Sequence, residues 1–258
     1  MNLEKAASAA FSFCGWRNPV LRRFRWATSF AMLVMHGQKG NGKSSAVWRE
    51  LQVVKNFSII EDVLPKPYWS ALRERFLDDD LPWYYSEEIS VKAGTANPFT
   101  GNPEIMGSCG FSHPLLVKGH HTSPHWEAVE PLLYFMAEKS NYSKLQRGFD
   151  VLRAKANLQT QVNGSTPDNF NMPHIDPVHL QLKATNWIFL YYLVDADGDT
   201  FIFNETAAGG CPSRLTVRER VTPRANTGIL FRDDIFHASS NPIQSRRRVN
   251  LNFNLIAG

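Results

Sequence analysis

His174 and Asp176 stand one residue apart in the run PHIDP. On an extended strand residues i and i+2 project to the same face, so this imidazole and this carboxylate can reach one ion. A second imidazole must come from elsewhere, and His237 closes the segment TGILFRDDIFH. Two histidines and one carboxylate on one face of an octahedral ion leave three positions open. That arrangement suits Fe(II) when it must bind both a co-substrate and O2. An H-x-D pair alone is weak evidence in a chain with eight histidines. A core or surface histidine with ordinary hydrogen bonds is the commoner outcome.

Arg248 strengthens the reading. It follows His237 closely and immediately precedes the alternating stretch VNLNFNLI. A dicarboxylate co-substrate needs a fixed cation at its far end, and a guanidinium offers a planar two-toothed donor that stays charged. Alternation turns Val249, Leu251, Phe253 and Leu255 toward supporting helices and leaves Arg248 and Asn250 facing a pocket. Arg246 shares that face, and a solvated basic turn, QSRRR, is the plain alternative. Tyr192, in IFLYYLV, is placed to hydrogen-bond the same carboxylate, with Leu190 and Thr200 lining the pocket beside it. Buried aromatic residues on strands more often serve the core.

The elements that must hold these residues can be read from the text. VVKNFSIIEDVL reads as a strand ending before Pro65, and 68–77 has helical spacing of Tyr68, Leu72 and Phe76. LPWYYSEE is aromatic and turn-like. A helix fits 126–137, entered through Ser123-Pro124. After Asp150 come short strands: VLRAKANLQTQV, WIFLYYLV, TFIFNE, RLTVRERV, TGILF and RVNLNFNLI, most of them separated by turn residues. Helices first and strands afterwards predict a mainly β fold, a sandwich or jelly roll with helices buttressing one sheet.

Composition sets outer bounds. Hydrophobic content of 43% and charged content of 20% are ordinary for a globular chain of 258 residues, enough for one full core. No apolar run approaches the roughly 18–20 residues of a membrane-spanning helix. The net charge of +4 sits in residues 1–49, where eight basic side chains accompany one acid, Glu4. The remaining body is slightly acidic, so nucleic acid is not indicated as a partner. Cys14, Cys109 and Cys211 are scattered without metal-type spacing, as a reducing compartment permits. A cytoplasmic location is expected, or an organellar one if the Arg-rich residues 1–49 are a transit segment. Gly37-x-x-x-x-Gly42-Lys43-Ser44 matches a phosphate-binding loop formally, but the strand–helix alternation such a domain needs does not continue.

The order PHIDP, FLYYLVDADGDTFIF, VTPRANTGILFRDDIFHASSNP and RRRVNLNF resembles the catalytic core of 2-oxoglutarate/Fe(II)-dependent dioxygenases. It looks closest to the prolyl-hydroxylase-like group of phages and bacteria. The resemblance covers about 150–256 and implies a double-stranded β-helix, the cupin-like form of the jelly roll. It divides the chain into a basic extension, 1–52, and a dioxygenase domain, 53–258. It implies Fe(II) held by His174, Asp176 and His237, with 2-oxoglutarate as co-substrate, its C5 carboxylate on Arg248. O2 is the oxidant, and ascorbate an accessory. The implied reaction releases succinate and CO2 and hydroxylates a substrate C–H bond, with a prolyl or other protein side chain the first substrate to expect and small molecules and nucleobases also open. Trp83, Tyr84, Tyr85 and the loop 163–172 are candidates for the substrate entrance. The chain departs from the pattern in having a single glycine in Gly198-Asp199-Thr200 and three consecutive arginines. A non-catalytic jelly-roll binding module is the alternative, with a nucleotide-binding protein using 37–44 behind it.

Overall fold

A computed structural model describes residues 56–91, 94, 96–176 and 185–257. The extension 1–52 and the loop-like motif 37–44 lie outside the described residues. The longest alternating runs of the sequence become the two central strands, β5 (Phe149–Thr160) and β11 (Arg247–Ala257), which pair antiparallel. Their apolar sides, Ala154 and Ala156 on one and Val249, Leu251, Phe253 and Leu255 on the other, enter the main core. Their polar sides face each other in register: Arg153 opposite Asn254, Lys155 opposite Asn252, Asn157 opposite Asn250 and Gln159 opposite Arg248.

Nine further strands complete the described architecture: β1 (Phe57–Ile60), β2 (Tyr84–Ser86), β3 (Gly110–Val117), β4 (His120–His121), β6 (Thr185–Tyr192), β7 (Thr200–Thr206), β8 (Val217–Val221), β9 (Thr227–Arg232) and β10 (Ile235–Ser239). The large sheet runs β1-β9-β6-β11-β5-β3-β2, with β4 paired to β3, and a small sheet runs β10-β7-β8. Helices α1 (Lys66–Leu77) and α2 (Trp126–Lys139) cover the outer face of the large sheet. Leu72, Phe76, Val129, Leu132 and Met136 pack there against Phe189, Tyr191, Leu251 and Phe253. A short helix, α3 (Ser143–Arg147), leads into β5. Between the sheets at one end lies a second cluster that includes Ile188, Leu190, Ile202, Ile229 and Phe231. Alternation on β7 and β10 turns Ile202 inward, while Phe201, Phe203, Phe236 and Ala238 join Phe99 and Phe170 in a third cluster. No helix among the described residues is long and apolar enough to cross a membrane.

The structure corrects three sequence expectations and adds strands β3 and β10, which the sequence reading did not contain. Among the described residues the first expected strand is β1 alone; Asp62 then takes a left-handed φ of 47°, and the next two N–H groups bond to Asn226 rather than to a strand. The turn-like aromatic stretch contains β2. TGILF forms the expected strand, β9, and β10, in the other sheet, follows it after a turn at Asp233-Asp234. Strand β3 was not foreseen because Pro114 interrupts GFSHPLLV; the register shifts between Pro114 and Leu116 accommodate it. The N-cap of α2 is His125 rather than Ser123, which lies two residues earlier; the Ser123 hydroxyl accepts the His125 N–H (3.2 Å) and its carbonyl the Trp126 N–H (3.2 Å).

Candidate metal centre

His174 and His237 are brought together by the backbone itself. Each N–H donates to the other's carbonyl at 3.0 Å, an isolated antiparallel bridge that sets both side chains on the same side. The two rings lie 4.5 Å apart, centre to centre. His174 Nδ1 sits 3.2 Å from the Met172 carbonyl and His237 Nδ1 3.1 Å from that of Ile235, so each Nδ1 carries the donated proton. That leaves both Nε2 atoms as free acceptors. His237 Nε2 is buried with no hydrogen-bond partner, which a folded protein rarely tolerates without a ligand.

Asp176 completes the group. Its Oδ1 lies 3.8 Å from His174 Nε2, and the three candidate ligand atoms all fall within 4.8 Å of one another. Oδ2 is already engaged, at 2.8 Å by the Arg153 guanidinium and at 2.9 Å by Asn254 Nδ2. Burial alone would raise the Asp176 carboxyl, but Arg153, assisted by both histidines and Lys155, holds it well below the usual carboxylate range. Burial and the neighbouring His237 push His174 down to about 3, and burial lowers His237 as well. Near neutral pH the trio is therefore two neutral imidazoles and one carboxylate, the protonation state a divalent ion requires. Free Nε2 lone pairs, a free carboxylate oxygen and an orphaned buried acceptor fit an ion at this point.

The two histidines open onto a cavity that is also lined by Leu190, Thr200, Arg248 and Asn250, as well as by Lys155, Asn157, Gln159 and Asn252. Arg248 is 2% exposed. It donates from Nε to the Gly198 carbonyl (2.9 Å), from Nη1 to Gln159 Oε1 (2.7 Å) and from Nη2 to Thr200 Oγ1 (2.8 Å). All three acceptors are neutral, and no carboxylate among the described residues lies within ion-pair distance of it; nearby Asp199 is taken by Arg220. Burial lowers the Arg248 pKa from its ordinary value, opposed by the Tyr192 phenol and Asp199. A buried guanidinium without a counter-ion is costly, and a ligand carboxylate is the natural partner.

Most of the predicted site residues thus meet in one cavity. Arg246 does not: it lies in the exposed turn before β11, which separates it from Arg248. Tyr192 stands behind the wall rather than on it. Its hydroxyl is 2.7 Å from Thr200 Oγ1 and its ring is 5.7 Å from the Arg248 guanidinium carbon. Tyr84 and Tyr85 are exposed, Trp83 packs on the main core, and Phe170 of the loop 163–172 is buried against the small sheet. It is Ile89 and Ser90, just after β2, that reach the cavity. Arg153, Lys155, Asn157, Gln159, Asn252 and Asn254 were not foreseen. Their signal was the strict polar alternation of LRAKANLQ and VNLNFNL, with asparagines that strands ordinarily avoid.

No family model and no curated protein matches the chain. Its structure is similar to an oxidoreductase of the 2OG-Fe(II) oxygenase family from Burkholderia pseudomallei, with a TM-score of 0.51 at 15% identity over 78% of this chain and 85% of that one. It is also similar to SnoN, a non-heme alpha ketoglutarate dependent epimerase from nogalamycin biosynthesis (TM-score 0.53, 13% identity, 78% of this chain, 76% of that). The carbocyclase SnoK from the same biosynthesis gives a TM-score of 0.51 at 12% identity, over 78% of this chain and 79% of that one. At such identities the likeness is one of fold: a double-stranded β-helix.

Proposed function

We propose that the chain is an Fe(II)- and 2-oxoglutarate-dependent oxygenase. The observation that carries this reading is a 2-His-1-carboxylate group with free ligand atoms, whose two histidines line the same cavity as a buried arginine with no carboxylate of its own. His174 and His237 would hold the metal through Nε2 and Asp176 through Oδ1. Arg248 would take the far carboxylate of 2-oxoglutarate, with Gln159 and Thr200 keeping the guanidinium in place. Leu190 and Asn250 would line the co-substrate's path. Iron with this co-substrate supplies activation of O2, with succinate and CO2 as by-products. The chain's own contribution is to hold the ligands in one geometry, keep both imidazoles neutral, and anchor the co-substrate away from bulk water.

A prolyl or other protein side chain is the first substrate to test, followed by small molecules. The fold neighbours SnoN and SnoK are described as an epimerase and a carbocyclase, so product analysis should include stereoinversion and ring closure beside hydroxylation. The intact ligand set speaks against a binding module without turnover. The test is succinate release from 2-oxoglutarate, coupled to O2 uptake, in the Fe(II)-loaded protein. The activity is expected to vanish in His174→Ala and His237→Ala. Turnover that survives in either variant would overturn the assignment.

A further inference from the structure

Asp176 has two oxygens, and the fold treats them differently. Oδ2 is ion-paired with Arg153 Nη2 (2.8 Å) and accepts a hydrogen bond from Asn254 Nδ2 (2.9 Å), while Arg153 Nε donates to Asn254 Oδ1 (2.9 Å). The three side chains form a closed ring. Arg153 and Asn254 are direct register partners on β5 and β11, at the metal end of the polar ladder, so the ring is anchored on the two central strands. Oδ1 lies outside the ring, toward His174.

We propose that Arg153 is a positioning residue that, together with Asn254, reserves Oδ2 of Asp176 and thereby limits this carboxylate to a single bond with the metal. The inference rests on the metal reading above. For Asp176 to chelate an ion through both oxygens, Oδ2 would have to leave an ion pair with Arg153 and a hydrogen bond from Asn254, at a residue only 7% exposed, where water cannot replace them. Held to one oxygen, Asp176 and the two histidines fill three of six octahedral positions. Three remain: two suffice for a chelating 2-oxo acid and one for O2. Without the clamp the carboxylate is free to swing and close one of them. Arg153 touches neither the reacting atoms nor the co-substrate in this role; it acts through Asp176.

The count of open positions can be read without turnover. Mn(II) bound to the full-length protein relaxes water protons in proportion to the number of exchangeable waters it carries. In the double variant Arg153→Leu/Asn254→Leu the relaxivity per bound Mn(II) is expected to fall by roughly one third, as one of three waters is displaced. Arg153→Lys, which keeps a cationic donor beside Oδ2, should retain the wild-type value. Should the double variant fail to fold, Arg153→Leu alone is read against Arg153→Lys. Its side chain is partly open to solvent, so its loss leaves the core intact. Equal relaxivity in the wild type and in the variants lacking the clamp would overturn the proposal while leaving the metal site standing. A wild-type protein that takes up no Mn(II) would instead sink the metal reading and this inference with it.

Discussion

Replacing Arg248 by Met separates the two roles a buried arginine can have. In the protein alone, the change removes three hydrogen bonds to neutral acceptors, those to Gly198, Gln159 and Thr200. At about 1 kcal/mol each this is a loss of about 3 kcal/mol, part of which is recovered because an uncompensated buried charge is also removed. The net cost to stability is expected to be about 1–2 kcal/mol, small enough to leave a folded protein. Binding of 2-oxoglutarate has no such compensation, because the far carboxylate loses its charged, buried partner. That loss is about 3 kcal/mol, or roughly 100-fold in Kd. Calorimetric titration of 2-oxoglutarate into the Mn(II)-loaded protein measures it directly, with Arg246→Met, in the exposed turn, as the control that should not change. Arg248→Lys should be intermediate, since an ammonium keeps the charge but not the planar fork. A folded Arg248→Met protein that binds 2-oxoglutarate within threefold of wild type would show that the arginine is a strut and that the co-substrate lies elsewhere.

Three further outcomes are expected. In the metal-free protein, His174 titrates near 6.5 when unfolded and near 3 when folded. Between these values the unfolded chain binds the extra proton, so stability falls as the pH is lowered, by about 3 kcal/mol between about pH 7.5 and about pH 4.5. His237 acts in the same direction; denaturant midpoints that stay level across this range would contradict both. Gly198→Ala would place a methyl 2.6 Å from the Ser240 carbonyl oxygen and 2.8 Å from the Pro242 nitrogen, contacts that only backbone movement can relieve. A loss of about 2 kcal/mol is expected, together with weaker 2-oxoglutarate binding, because the Gly198 carbonyl holds Arg248 Nε. Asn226→Ala removes buried hydrogen bonds from Leu64 N–H and the Tyr191 hydroxyl and to the Leu64 carbonyl, and leaves alanine at a φ of 62°. Thermal unfolding should show a stability loss of about 3–4 kcal/mol with the metal ligands untouched.

Much of this protein is legible in the text because strand parity is a local property. Alternation alone assigns Val249, Leu251, Phe253 and Leu255 to the core and Arg248 and Asn250 to the opposite face, where the structure has them. The H-x-D spacing suggests the pairing of His174 with Asp176 by the same parity, although among the described residues His174 forms only an isolated bridge and Asp176 lies outside any strand. Parity could not choose between Arg246 and Arg248, which share a face on paper. That choice depends on where β11 begins, and Arg246 precedes it in an exposed turn. Nor could it distinguish a polar strand face turned to solvent from one turned to a cavity. Lys155, Asn157 and Gln159 line the cavity only because the small sheet closes over the large one, a contact between segments far apart in the chain.

His237 shows the division most clearly. Its chemistry is intrinsic, but its partnership with His174 requires the chain to turn at Asp233-Asp234, cross from β9 to β10, and place His237 on the inner side of the second sheet. Residue types and their period determined which groups were available and which face each would occupy. Only the tertiary structure decided which faces meet, because sheet closure is a non-local event that no window of sequence contains.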